Sequence, residues 1–300
     1  MDNFTRSVTY DVVNQISLVN NGTVAASPTH LIVALIPSIT PHQKVISMEF
    51  DSQHAESFSD AYGNRYAKFV CMTDLSPGAR IDIQIQYQVE VMGQHFDLSQ
   101  CNGMLLNESI NAERYIESDA KPIIDLVERL AQGKSCICKK SEAFYNFVAD
   151  NMHHAGYDPN DMGALMALKC LSGDCVEYSD LLVALNRAAG IPARTVEGLT
   201  GCTYQGYDAG NNKHCWLEVH FPGIGWVPVD PTWGRYLQDR ATYFGNMTQD
   251  HIVVTRGRNL IPLNPLPDTN GHYHAYRYWW KGKIKAELNS EERWSILEHK

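Results

Sequence analysis

Residues 172–194 read SGDCVEYSDLLVALNRAAGIPAR, and the organisation of the chain is easiest to read outward from them. Tyr178, Leu181, Leu182, Leu185 and Ala188 or Ala189 recur at helical spacing, and Gly190 followed by Pro192 ends the run. The spacing predicts a largely buried helix with Cys175 in its first turn. At a helix start the backbone N–H groups lack intrahelical partners and the positive end of the macrodipole is close, which favours a thiolate. Gly173 leaves room beside it for a substrate backbone. A lone cysteine in such a place is ordinarily a small apolar residue. A chemical reading therefore needs support from elsewhere in the chain.

That support lies in residues 214–234, HCWLEVHFPGIGWVPVDPTWG. The pattern predicts a hairpin: a strand over 214–221, a Pro-Gly-Ile-Gly turn, and a strand over 226–230 stopped by Pro231. His214, Trp216, Glu218 and His220 share one face. For Asp230 to lie on that face, paired residue numbers must sum to an even value, so the loop has three residues or the strand carries a bulge. Asp230 then meets one nitrogen of His214 and leaves the other for the helix of Cys175. A thiolate to attack a carbonyl, an imidazolium to protonate the leaving amine and a carboxylate to fix the tautomer make a triad. The backbone N–H of Cys175 offers one oxyanion donor.

Before these blocks, residues 5–98 consist of β-branched and aromatic runs divided by turn signals such as Asn21-Gly22 and Pro77-Gly78. In the run ARIDIQIQYQVEV, Ile81, Ile83, Ile85, Tyr87, Val89 and Val91 alternate with Asp82, Gln84, Gln86, Gln88 and Glu90, the pattern of a half-buried antiparallel strand. Helical spacing begins after Cys101-Asn102-Gly103. One helix opens at Asp119 and Pro122 and closes at Gly133; a second starts at Ser141 with Phe144, Phe147, Val148 and Met152 on one face. Strands return from Thr195, and the chain is expected to end with a strand over 277–288 and a helix over 290–299. The fold class is α+β: an antiparallel β-sandwich domain over 1–105, then a catalytic domain over 106–300.

Composition narrows the function. The 300 residues are 44% hydrophobic and 20% charged, enough for packed domains, and the formal net charge is −9 with no stripe of Lys and Arg. Nucleic acid and anionic membranes are therefore excluded as partners. Neither a leader nor an apolar run of spanning length is visible, which leads to the expectation of a cytoplasmic protein whose eight cysteines are reduced thiols. Cys136 and Cys138 form the one close pair, without a CxxC and with His153 and His154 directed to different faces, so no metal is expected. No cofactor is implied. Cys202 and Cys215 are expected as buried or adventitious thiols, Glu218 as a strand-face and Glu177 as a helix-surface carboxylate, and His272 and His274 as sheet packing; Trp216 divides evenly between the wall of the site and the core.

The order GDC, helix, AGIPAR, then HCWLEV, then GWVPVDPT closely resembles the transglutaminase-like core shared by transglutaminases, bacterial candidate cysteine peptidases and peptide N-glycanases, over roughly residues 115–235. ALIPSITPHQKV in the front half resembles the β-domain that often precedes the bacterial versions. The resemblance implies a papain-like cysteine hydrolase fold with Cys175 as nucleophile, His214 as base and Asp230 as third member, and Trp216 and Gly173 near the substrate. It implies a peptide or protein amide substrate, with either water or a primary amine as acyl acceptor. No carboxylate cluster is arranged for calcium, unlike the calcium-dependent animal enzymes of the family. Hydrolysis is the expected reaction, because water is always present and no subsite for an amine stands out. The alternatives are transfer to an amine and, in another class, a catalytically inactive protein-binding module.

Overall fold

The computed structural model describes residues 6–51, 56–70, 74–103, 105, 110–158, 160–201, 213–260, 278–283 and 288–298. It shows a mixed α/β protein with several antiparallel sheets. The first third carries β1 (Ser7–Asn20), β2 (Ser27–Leu35), β3 (Gln43–Phe50), β4 (Glu56–Ser59), β5 (Arg65–Val70) and β6 (Arg80–Met92). The helices α1 (Lys121–Ala131), α2 (Ile137–Asn151), α3 (Ala164–Cys170) and α4 (Cys175–Ala188) follow. Then come β7 (Ala193–Thr200), β8 (Lys213–Phe221), β9 (Gly225–Val229), β10 (His251–Arg256), β11 (Tyr278–Lys283) and β12 (Leu288–Glu298).

Three sheets have four strands each, in the orders β12-β1-β6-β3, β11-β2-β5-β4 and β9-β8-β7-β10. In β6 the alternation read from the sequence is the observed burial: Ile83, Ile85, Tyr87, Val89 and Val91 are buried and the residues between them are not. These side chains join Tyr10, Val12, Ile16 and Leu18 of β1, Leu31, Val33 and Leu35 of β2, and Tyr66 and Phe69 of β5 in one apolar cluster. Leu199 of β7 and Ile252 and Val254 of β10 enter the same cluster, so the sheet that carries the hairpin is seated on the front strands. On its other side, α4 packs against β7 and β8. Tyr178, Leu181, Leu182 and Leu185 meet Leu217 and Val219 there, together with Ile123 of α1 and Phe144 of α2.

The end of the chain departs from expectation. Residues 290–299 were expected as a helix, but β12 is a strand that pairs antiparallel with β1 from Tyr10↔Glu298 to Asn20↔Leu288. Its exposure has the period of a strand: Glu292, Trp294 and Ile296 are partly or fully buried, while Arg293, Ser295 and Leu297 are exposed. The Glu and Leu content that suggests a helix is overridden by the open edge of a fourteen-residue strand. β11 likewise pairs with β2, so the expected 106–300 segment contributes its last strands to the sheets begun by the first 105 residues.

A second correction concerns the cysteines. All eight were expected to be reduced, but Cys101 and Cys138 are joined in a disulfide with their Cα atoms 6.6 Å apart. Their sequence separation of 37 hides the pairing, which exists because the turn after Leu98–Gln100 lies against the start of α2. Helix α2 itself begins at Ile137, four residues ahead of the expected Ser141, and α3 was not anticipated. Cys71 and Cys202 lie outside the described residues, as do His272 and His274. No helix among the described residues is long and apolar enough to cross a membrane.

Candidate active site

Cys175 is the first residue of α4, and the sequence around it builds the helix start. Asp174 is the N-cap: its carboxylate accepts from the Val176 N–H at 2.8 Å, and Glu177 reaches back to accept from the Asp174 N–H at 3.0 Å, a reciprocal capping box. Ser172 and Gly173 run parallel to His153 and His154, with Gly173 O accepting from Ala155 N at 3.0 Å. A Cβ on Gly173 would lie 2.4 Å from the Glu177 Cβ, so this glycine makes room for the capping carboxylate. Burial, then the charge of Asp174, push the Glu177 carboxyl up to about 7. Cys175 is partly exposed.

His214 and Asp230 are brought together by the hairpin. Its register runs Leu217↔Val229, Glu218↔Pro228, Val219↔Val227, His220↔Trp226 and Phe221↔Gly225, leaving the three-residue loop Pro222, Gly223 and Ile224. Every pair sums to an even number, as the shared face requires. Gly223 has φ +80°, a left-handed conformation suited to glycine. Asp230 Oδ2 lies 2.7 Å from His214 Nε2, and both side chains are 0% exposed. The other carboxylate oxygen accepts from the N–H groups of Thr232 and Trp233 at 2.8 and 3.0 Å, so the turn after β9 holds the group in place. Burial would raise the Asp230 pKa. The charge and hydrogen bond of His214, with those of His251, override it and hold the carboxyl well below the usual carboxylate range.

An ionised Asp230 accepts a hydrogen bond from Nε2–H, which leaves Nδ1 as the nitrogen of His214 with the free lone pair. The ring lies between Trp216 (centroids 5.9 Å, planes 29°) and Trp233 (5.3 Å, 28°), which restrict it to its own plane. Trp216 is buried at 2% exposure within a cluster with Val196, Trp233, Tyr243, Met247 and Val253. It fills the space over Gly198, where a Cβ would come 2.5 Å from the indole.

Glu177, expected on the helix surface, is instead buried as part of the helix cap. Glu218, expected as a strand-face carboxylate, is buried between Arg194 at 2.6 Å and Arg256 at 3.0 Å. Cys215 is buried, and burial pushes its thiol up, away from the thiolate. Sequence reasoning missed His251, whose Nε2 lies 3.4 Å from Asp230 Oδ2. The stretch TQDHIVV carries no signal for this, because β10 pairs with β7 through a register shift at Glu197 and Gly198. Among the described residues, two groups bring three potential donor atoms within 4.8 Å of one another: Cys101, Cys136 and Cys138, the first and last of which are taken up by the disulfide, and His214, Asp230 and His251. In the second, the 2.7 Å separation of nitrogen and oxygen is that of a charge-assisted hydrogen bond.

Cys175 thus starts the helix that packs on the strand of His214, and His214 and Asp230 form a buried pair on that sheet. Residues 124–231 match the model of the transglutaminase-like superfamily. The chain is 44% identical over 89 residues to the uncharacterised protein YebA of Bacillus subtilis, covering 26% of this chain and 12% of YebA. It is 42% identical over 72 residues to a protein-glutamine gamma-glutamyltransferase of Pseudomonas aeruginosa, covering 21% of this chain and 10% of that protein. The chain thus spans about a tenth of the length of these two relatives. A crystal structure of a candidate cysteine protease from Cytophaga hutchinsonii superposes with TM-score 0.64 at 15% identity, over 98% of this chain and 91% of that one, and so shares its fold.

Proposed function

We propose that the protein is a cysteine-dependent acyl-transfer enzyme that hydrolyses an amide in a peptide or protein. The reading rests on the buried His214–Asp230 pair at 2.7 Å, on the sheet against which the helix of Cys175 packs. The Cys175 thiolate attacks the carbonyl carbon, and the backbone N–H of Cys175 donates to the developing oxyanion. Protonated His214 gives its Nδ1 proton to the departing amine, and a thioester remains on Cys175. His214 then removes a proton from water, which attacks the thioester and releases the acid. Asp230 fixes the imidazole and stabilises its charged form throughout. Gly173 enters this proposal through the helix start it makes possible, and Trp216 through its stacking on the His214 ring.

The similarity to a protein-glutamine gamma-glutamyltransferase favours a second reading, in which a primary amine takes the acyl group in place of water. Incubating the enzyme with a glutamine-containing peptide library, with and without a primary amine, separates the two by product mass. Hydrolysis adds water across the amide or converts glutamine to glutamate. Transfer adds the amine with loss of ammonia. Inertness of every peptide would favour the binding-module alternative. For the compartment, the cytoplasm is the expectation, and the Cys101–Cys138 disulfide weighs against it, because such bonds are rare in reducing compartments. Cell fractionation with thiol trapping decides.

A further inference from the structure

His251 opens β10 with its side chain 1% exposed. Its Nδ1 lies 2.9 Å from Asp250 Oδ1, and its Nε2 lies 3.4 Å from Asp230 Oδ2. A ring nitrogen without a proton would turn its lone pair on an anionic oxygen, so carboxylates at both nitrogens call for a proton on each. The oxygen at Nε2 is the one that binds His214 at 2.7 Å. One oxygen of Asp230 thus serves two imidazoles, with ring centroids 5.7 Å apart and planes at 63°.

We propose that His251 is a positioning residue, an imidazolium that holds Asp230 through Oδ2 and sets, by its charge beside His214, the pH range in which Cys175 and His214 form their reactive ion pair. This rests on the assignment of Cys175 and His214 as the reacting pair. Among the described residues, the following groups face His251. Asp230 comes from the end of β9 and Asp250 from the residue before β10; the Thr248 hydroxyl donates to the same Asp250 oxygen. His214 and Trp216 come from β8, and Trp233 and Tyr243 from the segment after β9, with ring centroids between 4.6 and 5.9 Å away.

Two carboxylates against one standing imidazolium leave one negative charge in this buried set. Loss of the His251 charge would leave both carboxylates uncompensated, which disfavours a further negative charge at Cys175. Burial acts to lower the pKa of His251, but hydrogen bonds to Asp230 and Asp250 and their charges push it up to about 9. His154, which also interacts with His214, adds no charge near neutrality: burial, then Arg235 and His214, bring it down to about 4.

Two measurements test the proposal. In protein labelled with 15N-histidine, the side-chain nitrogens of His251 are expected to be both protonated at pH 7; a neutral ring there overturns it. The second measurement needs no turnover: the rate of iodoacetamide alkylation of Cys175 is followed against pH in wild type, His251→Gln and His251→Phe. His251→Gln keeps an N–H donor for Asp230 but loses the charge, and its alkylation midpoint should move up by roughly 1 pH unit. His251→Phe should move at least as far. An unmoved midpoint in folded His251→Gln overturns the role of His251 while the reacting pair stands, provided that wild-type Cys175 alkylates rapidly at pH 6. If wild-type Cys175 reacts no faster than the exposed Cys136, the reacting pair itself is wrong and the proposal falls with it.

Discussion

His214 and Asp230 meet because the loop between their strands has three residues, which puts both side chains on one face of the hairpin. A loop of four with unbroken pairing would turn Asp230 away. Asp230→Asn preserves this geometry and the acceptor for the Thr232 and Trp233 N–H groups, but an amide cannot stabilise an imidazolium and favours the wrong tautomer of His214. The expected loss in kcat is about 10²–10⁴ with an unchanged fold, read by steady-state kinetics beside circular dichroism. A loss below about threefold would reduce Asp230 to a structural strand end.

The free cysteines supply an internal control for thiol reactivity. Cys136 and Cys170 are exposed, Cys175 is partly exposed, and Cys215 is buried with its thiol pushed up. Access alone would rank Cys136 and Cys170 first. Thiolate character ranks Cys175 first, because the proposed function gives it His214 as a partner in addition to its helix start. Limiting iodoacetamide at pH 6, followed by peptide mapping, should label Cys175 before the others and in step with loss of activity. His214→Ala should slow that labelling at pH 6 and restore it at pH 9. Preferential labelling of Cys136 or Cys170 would show that exposure decides.

Glu218 sits between two arginines and away from the reaction as assigned. Burial would raise its pKa, yet the charges of Arg256 and Arg194 hold it below the ordinary carboxylate value. Glu218→Gln leaves two largely buried guanidinium groups without their shared anion, and should cost about 3 kcal/mol of stability in urea unfolding. The kcat should stay within about threefold. A variant of full stability with a tenfold lower kcat would instead put this carboxylate among the groups that touch substrate.

His251 makes stability depend on pH in a direction that can be checked. Its folded pKa of about 9 lies above its ordinary 6.5, so its contribution is fully present below pH 6.5 and is lost as pH rises through 9. Asp230 acts at the other end, since a depressed carboxylate contributes above its ordinary 3.8 and loses that contribution as pH falls through its folded value in strong acid. The Tm difference between wild type and His251→Gln should therefore shrink from pH 6 to pH 9.5. A difference that does not vary with pH would mean that His251 carries no extra proton.

How much of this was legible in the sequence follows from how local each feature is. The helix start at Cys175 and the parity of the 214–230 hairpin depend on neighbours within twenty residues, and period and turn length report them. Residues 290–298 were misread because a strand at an edge is decided by its partner, β1, almost the whole chain away. The Cys101–Cys138 disulfide was hidden for the same reason. His251 was missed because its approach to Asp230 depends on the register of β10 against β7 across an irregular pair, which no local pattern encodes. Glu218 was read only as a strand-face acid because both of its partners, Arg194 and Arg256, come from other strands.

The central claim is that the acyl group passes through a thioester on Cys175. The most direct measurement is to mix the enzyme with an activated peptide ester, quench in acid within milliseconds to seconds, and determine the intact mass and the site of acylation by peptide mapping. A mass increase equal to the acyl group, located on Cys175, lost on standing at neutral pH and absent in Cys175→Ala of unchanged fold, is the predicted result. An acyl group on another residue, or full turnover by Cys175→Ala, would contradict it.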